Sequence, residues 1–111
     1  DNHELNARLG DFVSGAGTPL VFRLVQNAPN PFNPVTKIAY DVPGKGQVTI
    51  RVYNVAGHEV TTLLDKVVDP GRHEVVWNGR NTNGEEVGSG IYFCTMEAPD
   101  FHQSMKMTLL K

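Results

Sequence analysis

The sequence predicts an all-β fold in which seven short strands form two packed sheets, and three observations support this. From residue 20 onward, apolar side chains recur at every second position, which is the pattern of half-buried strands. Stretches rich in Pro, Gly, Asn and Asp separate these runs, and such residues form turns. Helical periodicity is missing from residues 20–111. Together they predict a β-sandwich of the immunoglobulin-like (fibronectin III-like) type, with no disulfide.

Residues 1–19 differ from the rest of the chain. Three apolar residues there could form one face of a short helix, but nearby glycines argue against a long one. These residues are Leu5, Leu9 and Phe12. The stretch Ser14–Pro19, SGAGTP, has the composition of a flexible linker. We expect residues 1–19 to be a linker or tail remnant of a longer precursor, and residues 20–111 to be the sandwich. The alternative is that the three apolar residues dock on this domain or on a neighbouring one.

The segment Leu24–Pro34, LVQNAPNPFNP, is the least regular part of the predicted sandwich. Its three prolines forbid a helix, because each ring fixes φ and lacks an N–H group. Its asparagines, Asn27, Asn30 and Asn33, can bond to nearby backbone, as such residues do in turns. We expect a stiff bend at which the chain enters the sandwich, with Phe32 plugging one end of the core. The central motif residues are Pro29, Asn30, Pro31 and Phe32.

The alternation indicates where the other strands and the core lie. Strands are expected at about 20–26, 36–42, 48–53, 59–64, 73–77, 91–96 and 105–111. Turns are expected at 43–46, 54–57 and 69–71, and a long polar loop at Asn78–Gly90. Trp77 is the largest apolar side chain and should lie between the sheets. Its expected core neighbours are Phe32, Ile50, Val52, Val75, Ile91 and Phe93.

The composition is that of an ordinary globular domain, with 40% hydrophobic and 20% charged residues. A net charge of −2 gives no electrostatic case for binding nucleic acid or an anionic membrane. No apolar run reaches the roughly 18 to 20 residues that a membrane-spanning helix requires. We therefore expect no nucleic-acid partner and no membrane span.

Residues that could carry chemistry are few and scattered. The single cysteine, Cys94, lies within a predicted strand, where a lone cysteine is most often a small core residue. The histidines His3, His58, His73 and His102 lack the spacing that places two ligands on one metal. We expect His73 at a sheet edge. No nucleophile–base pair is visible, so the sequence predicts no enzyme activity and no cofactor.

The loop Asn78–Gly90 contains one weak metal-site pattern. Oxygen-bearing residues alternate before a glycine, which faintly resembles a calcium loop, and the candidate ligands are Asn81, Asn83 and Glu85. Neutral amides supply little charge, however, and the spacing to a bidentate Glu does not fit. The alternative is a turn-rich hairpin loop whose Asn and Gly residues adopt positive φ.

Carbohydrate binding is another possibility, because aromatic rings on a flat sheet face can stack on sugars. Tyr40, Tyr53 and Tyr92 are the candidate rings. Tyr40 shares the strand phase of Ile38 and Val42, which places it with the core. A sugar-binding module would therefore depend on Tyr53 or Tyr92.

Five motifs occur in an order that resembles a known family. They are Leu24–Pro34, Val52–Val60 (VYNVAGHEV), Gly71–Gly79 (ending WNG), Gly90–Phe93 (GIYF) and Lys106–Lys111 (KMTLLK). From about Leu24 to Lys111 the chain resembles the C-terminal sorting domain of the type IX secretion system. It equally resembles the related immunoglobulin-like module of the flagellar hook-capping protein family. The motif residues outside the proline-rich segment are Gly57, Trp77, Gly90 and Tyr92.

Two positions depart from the family pattern. His58 stands where Lys or Arg is usual, and Asn78 stands where Asp is usual. Neither change disturbs the predicted fold. The changed charge beside Gly57 would weaken recognition if a basic residue is read there.

The resemblance implies a non-catalytic domain at the C-terminal end of a larger exported bacterial protein. Such a domain carries its cargo via the periplasm through the outer-membrane translocon to the cell surface, and a peptidase often removes it. The implied partners are the translocon, a processing peptidase that would cut within residues 1–19, and a fused upstream cargo domain. A monomer is expected. The alternative is a passive structural spacer in a multidomain surface enzyme.

The last predicted strand supplies a physical hypothesis for recognition. It carries basic residues on both sides of an apolar stretch, and at a sheet edge it would offer unpaired backbone groups for strand addition. The candidate recognition residues are Lys106, Met107, Leu109, Leu110 and Lys111. The alternative is that this segment is merely the seventh strand of the sandwich.

Overall fold

The computed structural model describes residues 18–111 and shows an all-β sandwich, as the sequence predicts. The seven strands are β1 (Arg23–Leu24), β2 (Thr36–Val42), β3 (Gly46–Asn54), β4 (Glu59–Val68), β5 (Gly71–Trp77), β6 (Gly90–Ala98) and β7 (Phe101–Leu109). Within residues 18–111 there is no helix that could cross a membrane. The candidate helix face of Leu5, Leu9 and Phe12 lies outside the described residues, as does His3.

The strands form two antiparallel sheets that face each other. The three-stranded sheet has the order β1-β2-β5, and the four-stranded sheet has the order β4-β3-β6-β7. Because β5 is an edge strand, the expected edge position of His73 is confirmed. Its ring stacks on Tyr40, with the ring centroids 5.4 Å apart. The last strand, β7, is also an edge strand.

The inward faces of both sheets form one core. In β3, Val48, Ile50 and Val52 are fully buried while the residues between and beside them are half-buried or exposed, which is the alternation that the sequence predicts. Trp77 and Phe32 are both buried in this core. Burying a large apolar side chain contributes about 1.5–3 kcal/mol, so this alternation is what stabilises the two-layer fold.

The predicted inward face of β6 is wrong. Phe93 is 36% exposed, whereas Cys94 is fully buried. Cys94 lies opposite Val52 of β3, and paired residues in neighbouring strands point to the same face. The inward residues of β6 are thus Tyr92, Cys94 and Met96, and Ile91 and Phe93 face outward. Sequence reasoning fails here because both phases of this strand are apolar enough to be buried.

Only β2 has its predicted bounds, and β1, β4 and β7 depart from theirs most. β1 contains two residues, and after it the chain keeps backbone hydrogen bonds to β2 at Val25 and Ala28. β4 continues to Val68. β7 begins at Phe101, directly opposite Ala98, so that a tight turn joins it to β6. Asp100 in this turn has a φ of 59°, a conformation that Asp tolerates better than most residues.

The two ends of the sandwich differ in their connections. The hairpin end contains the three short turns that join β2 to β3, β4 to β5, and β6 to β7. Phe22 and Phe101 stack there, with ring centroids 5.2 Å apart. The motif end contains residues 29–35, 55–58, 78–89 and 110–111. Each motif of the resemblance therefore reaches the motif end.

Candidate functional site at the motif end

Three aromatic rings fill the core at the motif end. Phe32 packs against Trp77 with ring centroids 5.5 Å apart, and Trp77 meets Tyr92 edge-on at 5.2 Å. The Trp77 indole N–H donates to the carbonyl of Arg80 (3.0 Å), and the Tyr92 hydroxyl donates to that of Gly88 (2.7 Å). The prediction that Phe32 closes one end of the core is confirmed. The same cluster also anchors the long loop between β5 and β6.

A buried asparagine holds the bend that precedes Phe32. The Asn27 side-chain amide donates to the carbonyl of Pro29 (3.1 Å) and to the hydroxyl of Thr36 (3.0 Å), which itself donates to Pro29 (2.9 Å). The local bonding predicted for Asn27 is confirmed. The peptide bonds before Pro29, Pro31 and Pro34 are cis. Leaving these buried polar atoms unpaired would cost about 1–3 kcal/mol, so Asn27 fixes the shape of the bend.

The segment Leu24–Phe32, which we call the strap, runs along the outer edge of β7. Asn30 Oδ1 accepts a hydrogen bond from the backbone N–H of Thr108 (3.0 Å). Gln26 Nε2 donates to the carbonyl of Lys106 (2.9 Å). Asn30 thus bonds across the fold, whereas the sequence suggests a bond to nearby backbone. The edge that the strand-addition hypothesis requires to be open is covered here.

The two ends of the strap are also bonded to β7. The N–H of Phe32 donates to the carbonyl of Thr108 (3.0 Å), and the N–H of Leu110 donates to the carbonyl of Phe32 (2.9 Å). At the other end, the Gln103 amide accepts from the N–H of Leu24 (2.9 Å) and donates to its carbonyl (3.0 Å). The strap therefore runs parallel to β7. Sequence reasoning missed Gln103, because its partner lies 79 positions away and no periodic pattern links the two.

The other side of the strap is bonded to β2, which belongs to the three-stranded sheet and not to the sheet that contains β7. The N–H of Val25 donates to the carbonyl of Ala39 (2.9 Å), and Ala28 and Lys37 exchange two backbone hydrogen bonds of 3.0 Å each. The strap thus lies between the edges of the two sheets. It closes that side of the sandwich along its length.

Gly79 lies where three motifs meet. Its φ is 73°, and a Cβ placed on it would be 3.1 Å from the carbonyl oxygen of Pro34 and 3.7 Å from a methyl group of Leu109. Glycine is the residue that adopts this φ without strain and leaves this space. The WNG motif is therefore explained by close backbone approach, as well as by the burial of Trp77.

The predicted recognition residues divide into two groups. Met107 and Leu109 are fully buried and belong to the core, so a receptor cannot contact them in the folded domain. Lys106 and Lys111 are exposed, and Leu110 is 52% exposed. Of the five candidates, one apolar and two basic side chains are thus at the surface, and of these three Lys106 alone lies within β7.

The C-terminal residue is fixed to the long loop. The backbone N–H of Lys111 donates to the hydroxyl of Ser89 (2.9 Å), and its ammonium lies 3.3 Å from a carboxylate oxygen of Glu86. Arg80 lies 3.4 Å from the other carboxylate oxygen. Both ion pairs are exposed, so they position the chain end more than they stabilise the fold.

The turn between β3 and β4 is built on Asn54 and Gly57. Asn54 Oδ1 accepts from the N–H groups of Ala56 and His58, both at 3.0 Å, and Gly57 has a φ of 84°. The turn needs glycine at this position because a side chain rarely adopts that φ. His58, the departure from the family pattern, is exposed beside it.

The candidate calcium ligands are bonded to one another. Asn81 Oδ1 accepts from the N–H groups of Asn83 and Glu85, both at 3.0 Å, and its Nδ2 donates to Glu85 Oε1 (3.0 Å). These contacts form a turn-rich loop, which is the alternative that the sequence offers. Across residues 18–111, no group of three or more His, Cys, Asp or Glu side chains is placed to hold a metal ion.

A shallow pocket of about 340 Å³ lies between this loop and the start of β4. Its lining residues are Asn54, Glu59, Val60, Asn81, Thr82, Asn83 and Val87. Thr82 closes one side, since its N–H and hydroxyl both donate to the carbonyl of Val60 (3.0 and 3.3 Å). Glu59 is the single ionisable residue among those that line this pocket.

A family model matches most of the sandwich. The model of the FlgD Ig-like domain aligns with residues 35–100, which is more than half of the chain. The chain belongs to the FlgD Ig-like domain family. No curated protein matches the sequence. The matched range contains the Gly57 turn, Trp77 and Tyr92, but neither the strap nor the C-terminal residues.

Solved structures share the fold of this FlgD Ig-like domain. Dimeric latent PorU from Porphyromonas gingivalis has a TM-score of 0.63 at 19% identity, over 81% of this chain and 9% of PorU. PorZ, a surface component of the type IX secretion system of the same organism, has a TM-score of 0.56 at 19% identity. That match covers 87% of this chain and 13% of PorZ. The chain thus spans a small part of both proteins.

A flagellar protein shares the fold over most of its own length. FlgD from Xanthomonas campestris, a protein of hook capping in flagellar assembly, has a TM-score of 0.56 at 21% identity. The match covers 88% of this chain and 73% of that one. At such identities these likenesses establish the fold and nothing finer.

Cys94 has the environment of a core residue in this FlgD Ig-like domain, as the sequence predicts. Burial raises the pKa of its thiol to about 12, which leaves no thiolate at neutral pH. Burial also raises the pKa of Tyr40 and of Tyr92. His58, His73 and His102 lie on different elements.

The candidate sugar-stacking rings are mostly inside. Tyr40 and Tyr92 are buried, so the suggestion that Tyr92 offers a ring to a ligand is wrong. Tyr53 is half-buried on the outer face of the four-stranded sheet, directly opposite Phe93 of β6. Phe93 in turn lies opposite Lys106 of β7. Tyr53 and Phe93 are therefore neighbouring rings on the outer face, and Lys106 lies beside Phe93.

Proposed function

We propose that the domain is a non-catalytic sorting module, the C-terminal domain of a larger exported bacterial protein. It directs that protein through an outer-membrane type IX translocon to the cell surface. The observation that carries this proposal is the convergence of motifs at the motif end. Segments as distant as the strap, the Gly57 turn and the C-terminal residues contribute to one surface. Such convergence supports recognition by a partner as well as folding.

The surface that a translocon reads would be small. The side chains of Leu110 and Lys111 are exposed at the motif end, directly after β7, and that of Lys106 is exposed four residues before Leu110 on β7. Met107 and Leu109 act through the core. Deleting Lys106–Lys111 would remove these two core side chains and unfold the domain. Substitutions of the exposed residues therefore give the sharper test.

The partners in this proposal follow from the resemblance. They are the secretion translocon, a processing peptidase that cuts in the linker before residue 20, and the fused upstream cargo domain. The module acts as a monomer and needs no cofactor. The likeness to parts of PorU and PorZ supports this setting, because PorZ is a surface component of the type IX secretion system.

The test is surface delivery of a reporter cargo fused ahead of Asp1, in a bacterium with a type IX translocon. The double variant Leu110→Asp/Lys111→Glu should lower delivery at least tenfold, because it replaces the exposed apolar and basic side chains at these two positions by acidic ones. Its melting temperature should stay close to that of the unmodified domain. The measurement is cargo on intact cells compared with cargo in the periplasm.

A matched control comes from the hairpin end. Val67 is 55% exposed and Lys66 is also exposed, so Lys66→Glu/Val67→Asp makes a similar chemical change away from the motif end. Delivery of this variant should match that of the unmodified fusion. Equal delivery of all three fusions would reject the sorting function and favour a passive spacer.

A second candidate function is carbohydrate binding on the outer face of the four-stranded sheet. The paired rings of Tyr53 and Phe93 favour it, since neighbouring aromatic rings can stack on sugar faces. Pull-down with insoluble polysaccharides should then depend on both rings. Tyr53→Ala and Phe93→Ala would abolish retention, while Val76→Ala on the other sheet would not. Unchanged retention in the ring variants would reject this function.

A further inference from the structure

The two long sides of the sandwich are closed differently. On one side the strap lies between β2 and β7 and bonds to both. On the other side β5 and β4 are the edge strands of their sheets. Near the motif end Thr82 covers the β4 edge, because its N–H donates to the carbonyl of Val60 (3.0 Å). Within residues 18–111, no segment covers the outer edge of β5 in this way.

The backbone groups along the outer edge of β5 belong to three residues. Lys37 and Ala39 of β2 direct their backbone hydrogen bonds to the strap, and residues of a strand alternate in the side to which they bond. The even-numbered residues of β2 therefore bond to β5, where they pair with odd-numbered residues. The N–H and carbonyl groups of Arg72, Glu74 and Val76 consequently point away from β2, and no hydrogen bond within the described part of the chain reaches them. An edge of this kind takes a further strand.

The chain itself contains a segment with the pattern of such a strand. Residues 4–9, ELNARL, alternate polar and apolar side chains with a period of two. A strand beside β5 would turn Leu5, Ala7 and Leu9 toward the core and share its polar face with the exposed face of β5. Leu5 and Leu9 also fit one face of a helix, but a helix bonds its own backbone and would leave the β5 edge unpaired. A strand is the conformation that pairs both sets of backbone groups.

Charge selects the register of this pairing. With the polar phase outward, Arg8 lies opposite Arg72, Glu74 or Val76. Opposite charges directly across two strands stabilise the pair and like charges destabilise it, so Glu74 is the favourable partner. Glu74 is exposed, and no ion pair within residues 18–111 uses it. This register places Asn6 opposite Val76.

The connection to β1 sets the direction and is long enough. The chain enters β1 at the hairpin end, and β1 and β5 run the same way because both are antiparallel to β2. A preceding segment that returns along β5 is therefore antiparallel to it, with Gly10 beside Arg72. Arg23 and Arg72 both lie opposite Asp41, so Gly10 would be three strand spacings, about 14 Å, from Arg23. The intervening chain spans about 43 Å when extended.

We infer that residues 4–10 form an eighth strand on the outer edge of β5, antiparallel to it, with Arg8 opposite Glu74. The added strand closes this side of the sandwich as the strap closes the other. It also fixes where a preceding domain is attached, because residue 4 then lies at the motif end and not at the hairpin end. The inference goes beyond the proposed sorting function and does not depend on it.

A pair of proline variants of the full 111-residue chain tests the added strand. In this register the N–H of Asn6 bonds to β5 and that of Ala7 points away, where an edge strand tolerates proline. Hydrogen exchange at the N–H of Glu74 should be about two- to tenfold faster in Asn6→Pro, the factor for one lost hydrogen bond. Ala7→Pro should leave it unchanged. The N–H of Val75, which bonds to β2, is the internal control and should be unaffected in both.

Equal acceleration by the two prolines would overturn the inference, because a helix is broken by either one. Exchange at Glu74 that is already fast in the unmodified chain, and unchanged by both variants, would also overturn it, since the edge would then be open. Exchange that becomes faster on dilution of the protein would assign the edge to a second copy of the chain, and the inference would fail.

A charge exchange tests the register. Arg8→Glu and Glu74→Arg each place like charges opposite one another, and each should accelerate exchange at the N–H of Val76 about two- to fivefold. The double variant Arg8→Glu/Glu74→Arg should return the rate to that of the unmodified chain. A double variant that exchanges as fast as the single ones would reject the pairing of Arg8 with Glu74. None of these variants alters Leu110 or Lys111, so the delivery test of the sorting function stays separate.

Discussion

The hairpin end and the motif end of the sandwich are closed by different kinds of contact. At the hairpin end, three short turns join strands that are consecutive in the chain, and one stacked pair, Phe22 and Phe101, covers the core. At the motif end, Phe32, Trp77 and Tyr92 interlock, and the strap bonds to residues about 80 positions away. Local sequence closes the first end, whereas long-range contacts close the second.

This difference explains where the motifs lie. A short turn can be formed by many combinations of Pro, Gly, Asn and Asp, so the hairpin end imposes few specific residues. The motif end requires a glycine against a carbonyl at Gly79, a positive φ at Gly57 and a buried amide at Asn27. Folding requirements and the proposed recognition surface therefore overlap at one end, and substitutions must be chosen to separate them.

The largest expected difference between the ends is in core packing. Phe32→Ala should lower the free energy of unfolding by about 3–5 kcal/mol, because it leaves a cavity beside Trp77. Phe22→Ala should cost about 1–2 kcal/mol, because its ring is half-buried and loses less area. Urea denaturation followed by Trp77 fluorescence measures both. Similar losses would show that the ends are equally dependent on their aromatic residues.

Two glycines, one at each end of the sandwich, allow the backbone constraints of the two ends to be compared. Gly79→Ala should cost about 2 kcal/mol, because it combines a positive φ with a methyl group 3.1 Å from the carbonyl oxygen of Pro34. Gly44→Ala at the hairpin end meets nothing within 4 Å and should change stability by less than about 0.5 kcal/mol. Thermal unfolding of the two variants measures both changes in stability. A neutral Gly79→Ala would contradict close approach at the WNG motif.

Cys94 lies midway between the ends and provides a pH test of the whole core. Its raised pKa means that the fold favours the neutral thiol, so this stabilisation is complete below the unfolded pKa near 9. It is lost progressively as the pH rises from there toward about 12. Between pH 8 and pH 10 the unmodified domain should lose about 1.4 kcal/mol more than Cys94→Ala does. Parallel losses would mean that the thiol reaches water in the folded state.

The smallest effect is expected from the exposed ion pair at the chain end. Lys111→Gln removes the contact with Glu86 and should lower stability by less than about 0.5 kcal/mol, since exposed pairs contribute little. Lys45→Gln, in an exposed turn of the hairpin end, is the matched control. Both should unfold within about 2 °C of the unmodified domain. A larger loss for Lys111→Gln would assign the chain end a structural role beyond positioning.

Much of the fold follows from alternation in the sequence. The strands β2, β3 and β5 have one strongly apolar phase, so their inward residues can be predicted, as can the burial of Trp77 and Phe32. In β6 the pattern Ile91–Met96 is apolar in both phases, and its pairing with β3 decides which phase is buried. The candidate site was harder to predict, because the partners of Gln26, Asn30 and Gln103 lie in β1 or β7, far along the chain.

The sequence by itself determined the β class, the position of the turns and the aromatic closure at Phe32, because strand period and turn chemistry act over a few residues. Tertiary structure alone decided that Met107 and Leu109 are core while Leu110 and Lys111 are surface. It also decided that the strap covers the β7 edge. The physical reason is that hydrogen bonds between distant segments depend on the register in which strands meet, and local sequence carries no record of that register.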